Sequence, residues 1–405
     1  MSAHGPEIGQ RARLIRRRRG MSLEVTAGLA GISKGYLSLL ENGRRPFERR
    51  SLIDALAEAL GCSVIDLTGE PYLPVSRQDA AAMAAIPDIE RGLHDVTFDD
   101  VPDVAARPVP ELVAAVRAAN EHRDQVRYGH AGREIGELLA ELQVTVATGS
   151  AADRHEALGG LVELGIVTYE ISKNLGHVVL AIEAAQRGYE AAELLGDPAL
   201  LGFAGWYRAL GLLRIGAHRR AGRALDRAAA TTESLVGNTR AGTLGAEVHG
   251  LVRLTQAAQA ARAGQADEAH SHLAEAGSIA ARTGERNGML MHFGPTNVAL
   301  WSTGVGVELV EGAGAAERRV DPGVLGSRNR TAGMHFDLAR AFSQEDGRRD
   351  ADAVHHLDQA DRIAPSRIRH DPTARSLLAT LDARAHVRSW ELKSLRNRWG
   401  VAAAQ

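Results

Sequence analysis

One spacing recurs in the second half of the chain and restricts its fold more than any other feature. It runs from a glycine to an alanine five residues on, a larger apolar residue four later, and a small residue three after that. Gly216-Ala221-Leu225-Ala228 and Gly264-Ala269-Leu273-Ala276 fit it, Gly176-Ala181-Ala185-Gly188 is a weaker copy, and Ala353-Leu357-Ala360 repeats its tail with Gly347 one residue early. Steps of four and three keep these residues on one face of a helix. Small residues there let a second, antiparallel helix approach closely, and the larger one fills the groove between neighbouring hairpins. Such a hairpin cannot bury its face alone, so the pattern predicts a stack of helix pairs from about residue 110 to 398. The competing reading is a non-repetitive helical bundle, because the copies fall at irregular spacings of 40 to just over 80 residues.

Composition supports helices under either reading. Aromatic residues make up 4% of the chain, and alternating runs rich in Val, Ile and Tyr are almost absent, which predicts an all-α fold. A chain of 405 residues suits two or three domains of about 150 residues each. Gly69, Pro71 and Pro74 close a first domain at 1–70, and three prolines between 97 and 110 mark a second break. The division is then 1–70, a linker at 71–109 with a short helical stretch, and a helical array at 110–405.

The net charge of -2 conceals a gradient, since residues 1–50 hold eleven Lys or Arg against Glu7, Glu24, Glu41 and Glu48. A local positive field of that density attracts polyanions. Cys62 is the only cysteine, so a disulfide within the chain and a thiolate-rich metal site are excluded and a cytoplasmic location is expected. Arg16 to Arg19 interrupt any secretory apolar run, and no stretch reaches the roughly 18 apolar residues of a membrane helix.

Within residues 7–19, Ile8, Ala12 and Ile15 share a helical face and the arginines take the other. Ser22 caps a second helix through Ala30, Gly31 turns the chain, and Ser33 caps a third helix that Gly43 ends. Residues 50–60 form a fourth helix and Val64 to Leu67 a short fifth turn. Five helices with a minimal turn between the second and third make a helix-turn-helix domain.

"MSLEVTAGLAGISKGYLSLLENGRRP", followed by "LIDALAEALGCSVIDL", resembles the phage-repressor class of helix-turn-helix proteins, the xenobiotic-response-element or Cro/C1 type. The resemblance rests on Ala27, the Ala30-Gly31-Ile32-Ser33 turn, Leu37 and Leu40, and the Glu41-Asn42-Gly43 exit. It implies a small, five-helix, lambda-repressor-like domain over about residues 7–70 that binds double-stranded DNA. The start of the third helix would enter the major groove, placing Lys34, Gly35, Tyr36 and Ser38 at base edges. Asn42, Gly43, Arg44 and Arg45 would meet phosphate, and Arg17 and Arg18, within the Arg16–Arg19 run, would add a diffuse anchor. Gly35, Leu39 and Leu23 stand where the family often has polar readers, so direct readout is thin. One such domain reads few base pairs, and a homodimer on a palindromic operator is the natural arrangement.

With its "HFGPTNVALW" at 292–301 and the late "GRRDADAVHHLDQADRIAP", the larger helical part resembles the tetratricopeptide-like α-solenoid of actinobacterial regulators, which implies sensing of a small molecule or peptide, dimerisation, or both. Trp206, Tyr207 and Arg208 in one helix, and Asn297 and Trp301 a turn apart in another, are the candidate ligand residues; the competing reading is that the tryptophans fill gaps between Ala-rich helices. Glu268, His270, His272, His355 and His356 lack the spacing of a zinc helix and are expected at the surface. No phosphate loop, dinucleotide turn or nucleophile elbow occurs, so no catalytic centre, cofactor or metal is expected. A transcriptional regulator is the leading reading. The alternative is a protein-interaction scaffold that uses its DNA-binding domain for localisation.

Overall fold

The computed structural model describes residues 8–69, 77–98, 100–101, 103, 105–237, 242–312, 314 and 320–400, and these contain helices and no strands. The first unit comprises α1 (Ile8–Arg18), α2 (Leu23–Leu29), α3 (Lys34–Glu41), α4 (Arg50–Leu60) and α5 (Val64–Thr68). The expected caps form. The Ser22 Oγ accepts from the Val25 amide and the Ser33 Oγ from the Tyr36 amide, each at 3.1 Å. Gly31 turns the chain between α2 and α3 at φ 65°, a conformation that is strained for residues with a Cβ. Ile8, Ala12, Ala27, Leu37, Leu40 and Ile53 are buried together in the centre of the unit.

The arginine face of α1 is not uniformly solvated. Arg16 is buried, and its Nε and Nη2 donate to the two carboxylate oxygens of Glu41 at 2.6 and 2.8 Å. This fork ties α1 to the end of α3, so Arg16 is removed from the diffuse cationic run expected of Arg16–Arg19. Glycine allows the same approach at Gly9, where a Cβ would lie 2.2 Å from the Leu40 carbonyl oxygen.

Two short helices follow, α6 (Arg77–Met83) and α7 (Ile86–His94). Ala82, Ile86, Ile89 and Leu93 join the same apolar core as the helices beyond them, so this stretch of the 71–109 segment packs into the array. The array opens with α8 (Val109–Asp124), α9 (Tyr128–Ala131) and α10 (Ile135–Thr148). Two-helix pairs come next: α11 (Ala151–Asn174) with α12 (Val178–Leu195), α13 (Pro198–Arg214) with α14 (His218–Glu233), and α15 (Leu244–Arg262) with α16 (Ala266–Thr283). After α17 (Pro295–Glu308), the pair of α18 (Arg328–Ser343) and α19 (Asp350–Ile363) leads to α20 (Pro365–Ile368), α21 (Pro372–Arg384) and α22 (Trp390–Arg398).

The repeated spacing maps onto these pairs. Gly176, Gly216 and Gly264 occupy the three-residue turns inside the pairs at φ 89°, 75° and 75°, and so close each hairpin with a left-handed residue. Ala181, Ala185, Ala221, Leu225, Ala269 and Ala276 lie on the buried face of the second helix, each at most 1% exposed. Turns this short make the partners antiparallel.

The first unit does not stand apart from the array. The stretch from Arg45 to Asp54 meets it repeatedly: the Phe47 amide donates to the Ser376 Oγ at 2.9 Å, and the Arg340 Nε donates to the Glu48 carbonyl at 2.6 Å. The Arg50 amide donates to Glu308 at 3.3 Å, His218 lies 3.6 Å from Asp54, and Arg45 pairs with Asp346. Glu308 also accepts from Arg340 at 2.9 Å, making it a shared anchor for both parts.

Not all the histidines lie at the surface. His270 is exposed beside Glu311 at 3.1 Å, but His272 and His356 are half-buried. The His356 ring sits in a pocket made by Phe342, His335 and His355, its Nδ1 2.9 Å from that of His335. Burial first, and then the two neighbouring imidazoles, bring it down to about 4. The helix packing behind these rings was not readable from their spacing.

Candidate nucleic-acid interface and an internal cationic cavity

The turn between α2 and α3 presents the start of α3 outward. The Lys34 side chain is 64% exposed and lies 3.5 Å from the still more open Glu24, a solvated pair with little hold on the lysine. Gly35 beside it is exposed, and Ser38 is half-buried. The Asn42 side chain turns back on the helix, its Nδ2 donating to the Ser38 carbonyl at 2.8 Å, while its Oδ1 accepts from Arg13 at 3.2 Å. Gly43 follows at φ 67° and leaves Arg44 in solvent. Arg17 and Arg18 are exposed at the end of α1.

Two of the candidate contacts point elsewhere. Tyr36 is half-buried and its hydroxyl donates to Glu48 at 3.4 Å; burial, followed by the charge of Glu48, raises it to about 12. Arg45 is engaged by Asp346 of the array. The outward cations are therefore Lys34 and Arg44, with Arg17 and Arg18 on the α1 side. Sequence reasoning missed the inward turn of Tyr36 and Arg45 because their partners lie on other elements.

A second feature lies within the array. Two adjoining cavities, of about 320 and 220 Å³, share Arg262, Trp301, Asn329, Arg330 and Arg367. Their walls come from α8, α11, α13, α15, α17, α18 and α20, with no lining residue from α12, α14, α16 or α19. The first helices of the pairs thus form an inner layer around the space. Arg50 of the first unit also reaches it, donating to the Arg214 carbonyl.

The candidate ligand residues divide around this space. Trp206 and Trp301 line the larger cavity, and Asn297 and Trp301 the smaller. Trp206 is anchored by its Nε1, which donates to the Thr255 Oγ1 at 2.8 Å. Tyr207 is wholly buried and its hydroxyl donates to the Val162 carbonyl at 3.2 Å, wedged where Gly165 and Gly188 lack side chains. Arg208 faces away, stacked 4.5 Å over the Tyr189 ring. Tyr207 therefore packs the core and Arg208 an outer groove. Neither borders the inner cavities.

Sequence reasoning missed the cations of the inner wall altogether. Arg123, Lys173, Arg214, Arg330 and Arg367 come from five helices or their ends, and each reads in sequence like a charge on a solvated face. Glu170 is the acidic member of the larger cavity's lining, 2.6 Å from Lys173. Burial opposes its ionisation, but Lys173, Arg123 and Arg367 hold it down at about 2. Burial also brings Arg330 down to about 10.

A cluster that could suggest catalysis has a different geometry. Ser327 donates to Asp124 Oδ1 at 2.6 Å, and His292 meets Asp124 Oδ2 at 2.9 Å, so the carboxylate stands between serine and imidazole. Among the described residues, no group of three or more His, Cys, Asp or Glu could hold a metal ion, and no helix is long and apolar enough to cross a membrane. A family model described as a helix-turn-helix domain matches residues 7–68. No curated protein and no solved structure matches the chain. Residues 7–68 thus carry a helix-turn-helix DNA-binding domain at the head of a helical chain.

Proposed function

We propose that the protein is a sequence-specific transcriptional regulator whose helical array dimerises and senses a small effector. The observation that carries this reading is the joint between the two parts: the stretch leaving α3, including Arg45, is held by the array. A change in the array's inner wall is then felt at the edge of the DNA-reading surface. The exposed Lys34 and Arg44 support DNA contact, and Arg17 and Arg18 support attraction to phosphate. A homodimer follows from the short reach of one α3 and would match a palindromic site. The array is read as tetratricopeptide-like from its small-residue hairpins, and the chain as a regulator with no enzymatic activity.

The test is selection of DNA sites with the full-length protein, followed by binding measurements over a salt series. Lys34→Ala should weaken the selected site by about 1–3 kcal/mol and relax its sequence preference, whereas Arg44→Ala should weaken all sequences evenly and flatten the salt slope. Preference within tenfold of random DNA at every salt concentration, unchanged by Lys34→Ala, would favour the scaffold reading.

A further inference from the structure

The larger cavity has more positive charge than its own carboxylate can balance. Arg50, Arg123, Lys173, Arg214, Arg330 and Arg367 line it together with Glu170, and Glu170 lies against Lys173. Arg50 lies 3.4 Å from Asp54, and Arg262, also on the wall, is 3.8 Å from Glu308. Three of the remaining guanidinium groups direct their hydrogen bonds to neutral oxygens. Arg123 donates to Asn120 Oδ1 at 2.7 Å and the Leu290 carbonyl at 3.0 Å, Arg330 to the Met291 carbonyl at 3.0 Å, and Arg367 to the side chain and backbone of Asn329. None of these three forms an ion pair among the described residues.

Cations in excess of carboxylates inside a helical array disfavour the fold, and a site keeps them where an anion is to be bound. The reduced basicity of Arg330 is the mark of that tension. Guanidinium forks match the paired oxygens of phosphate and carboxylate. The same space offers Trp206 and Trp301 as apolar surface. In the adjoining cavity the fully buried Asn297 donates to the Met291 carbonyl at 3.4 Å, while its Oδ1 has no hydrogen-bond partner among the described residues. Volumes of about 320 and 220 Å³ suit a metabolite-sized molecule better than an extended peptide.

We infer that the adjoining cavities bind a small oxyanion carrying at least two negative charges, with an apolar or planar part against Trp206 and Trp301, and that Arg50 reports its presence to the DNA-binding unit. The Asn297 Oδ1 would take an N–H or O–H of the same ligand. Arg50 is the first residue of α4 and its amide is held by Glu308, so an anion that draws its side chain inward tightens the joint between the two parts. The second half of the inference rests on the regulator reading above, and the first half does not.

Pyrophosphate, citrate and AMP, each titrated into the full-length protein at constant ionic strength, test the site by calorimetry and thermal unfolding. At least one binds and raises the unfolding midpoint; pyrophosphate or AMP marks a phosphate site and citrate a carboxylate site. Replacing Arg330 and Arg367 together by Met weakens that binding at least tenfold, and Arg208→Met, on the outer groove, leaves it unchanged. The single changes Arg330→Gln and Arg367→Gln serve if the double variant does not fold. No binding by any of the three probes, or equal binding by the cavity variants, overturns the site. With a selected DNA site, the bound probe shifts DNA affinity at least fivefold in the wild type and not in Arg50→Gln; an equal shift in both overturns the role of Arg50. A protein that binds the probe but prefers no DNA sequence overturns the regulator reading and leaves the anion site standing.

Discussion

Arg16 and Gly9 show how much a single position can fix. Removing one partner of a buried ion pair leaves the other charge stranded, at a loss of about 3–5 kcal/mol. Glu41→Ala should therefore destabilise the first unit by that amount in chemical denaturation, while Arg17→Ala, one residue along the same helix, should change it by less than about 0.5 kcal/mol. Gly9→Ala inserts a methyl against the Leu40 carbonyl and should lower stability by about 1–3 kcal/mol. The apolar face of α1 was legible from spacing alone, but the role of Arg16 was not, because Glu41 lies 25 positions away and an arginine next to three others reads as surface. Tyr36 is a similar case: its place on α3 was readable, and its turn toward Glu48 was not.

Among the helices, the hairpins were the most readable elements. The glycine of each copy marks the turn and the small residues mark the contact face, so a periodic pattern was enough to find them. Ala substitutions at Gly176, Gly216 or Gly264 should each lower stability by about 1–2 kcal/mol, measured by thermal unfolding, since each forces a Cβ into the left-handed region. The contact of α18 with α19 adds a pH dependence. His356 titrates near 4 in the fold and near 6.5 when unfolded, so the unfolded chain binds the extra proton between those values. Its contribution to stability is complete above about pH 6.5 and is lost as the pH falls toward 4. His356→Gln should flatten that part of the stability profile, as read from unfolding midpoints across the pH series. The cavity was only partly legible, because Trp206, Asn297 and Trp301 stand out by rarity or position, whereas a lining arginine looks like any other until seven helices converge around it.

For the molecule as a whole, Glu308 and Arg340 are the joint to disturb. Arg340 holds the Glu48 carbonyl and Glu308 together, and Glu308 in turn holds the Arg50 amide. Arg340→Ala should loosen the first unit from the array, giving a larger radius of gyration in solution scattering and faster proteolysis between the two parts. An unchanged scattering profile would show that the remaining bonds, from the Phe47 amide to Ser376 and from the Arg50 amide to Glu308, suffice.

The bond from the Phe47 amide to Ser376 spans 329 positions. At a synthesis rate of about 5–20 residues per second, the last part of that contact emerges roughly 15–65 seconds after the first. The DNA reader therefore completes its own core on the ribosome well before its mooring exists. Every chain passes through an interval in which α3 is formed and unrestrained, and a product cut short before α13 would stay in that condition for its lifetime.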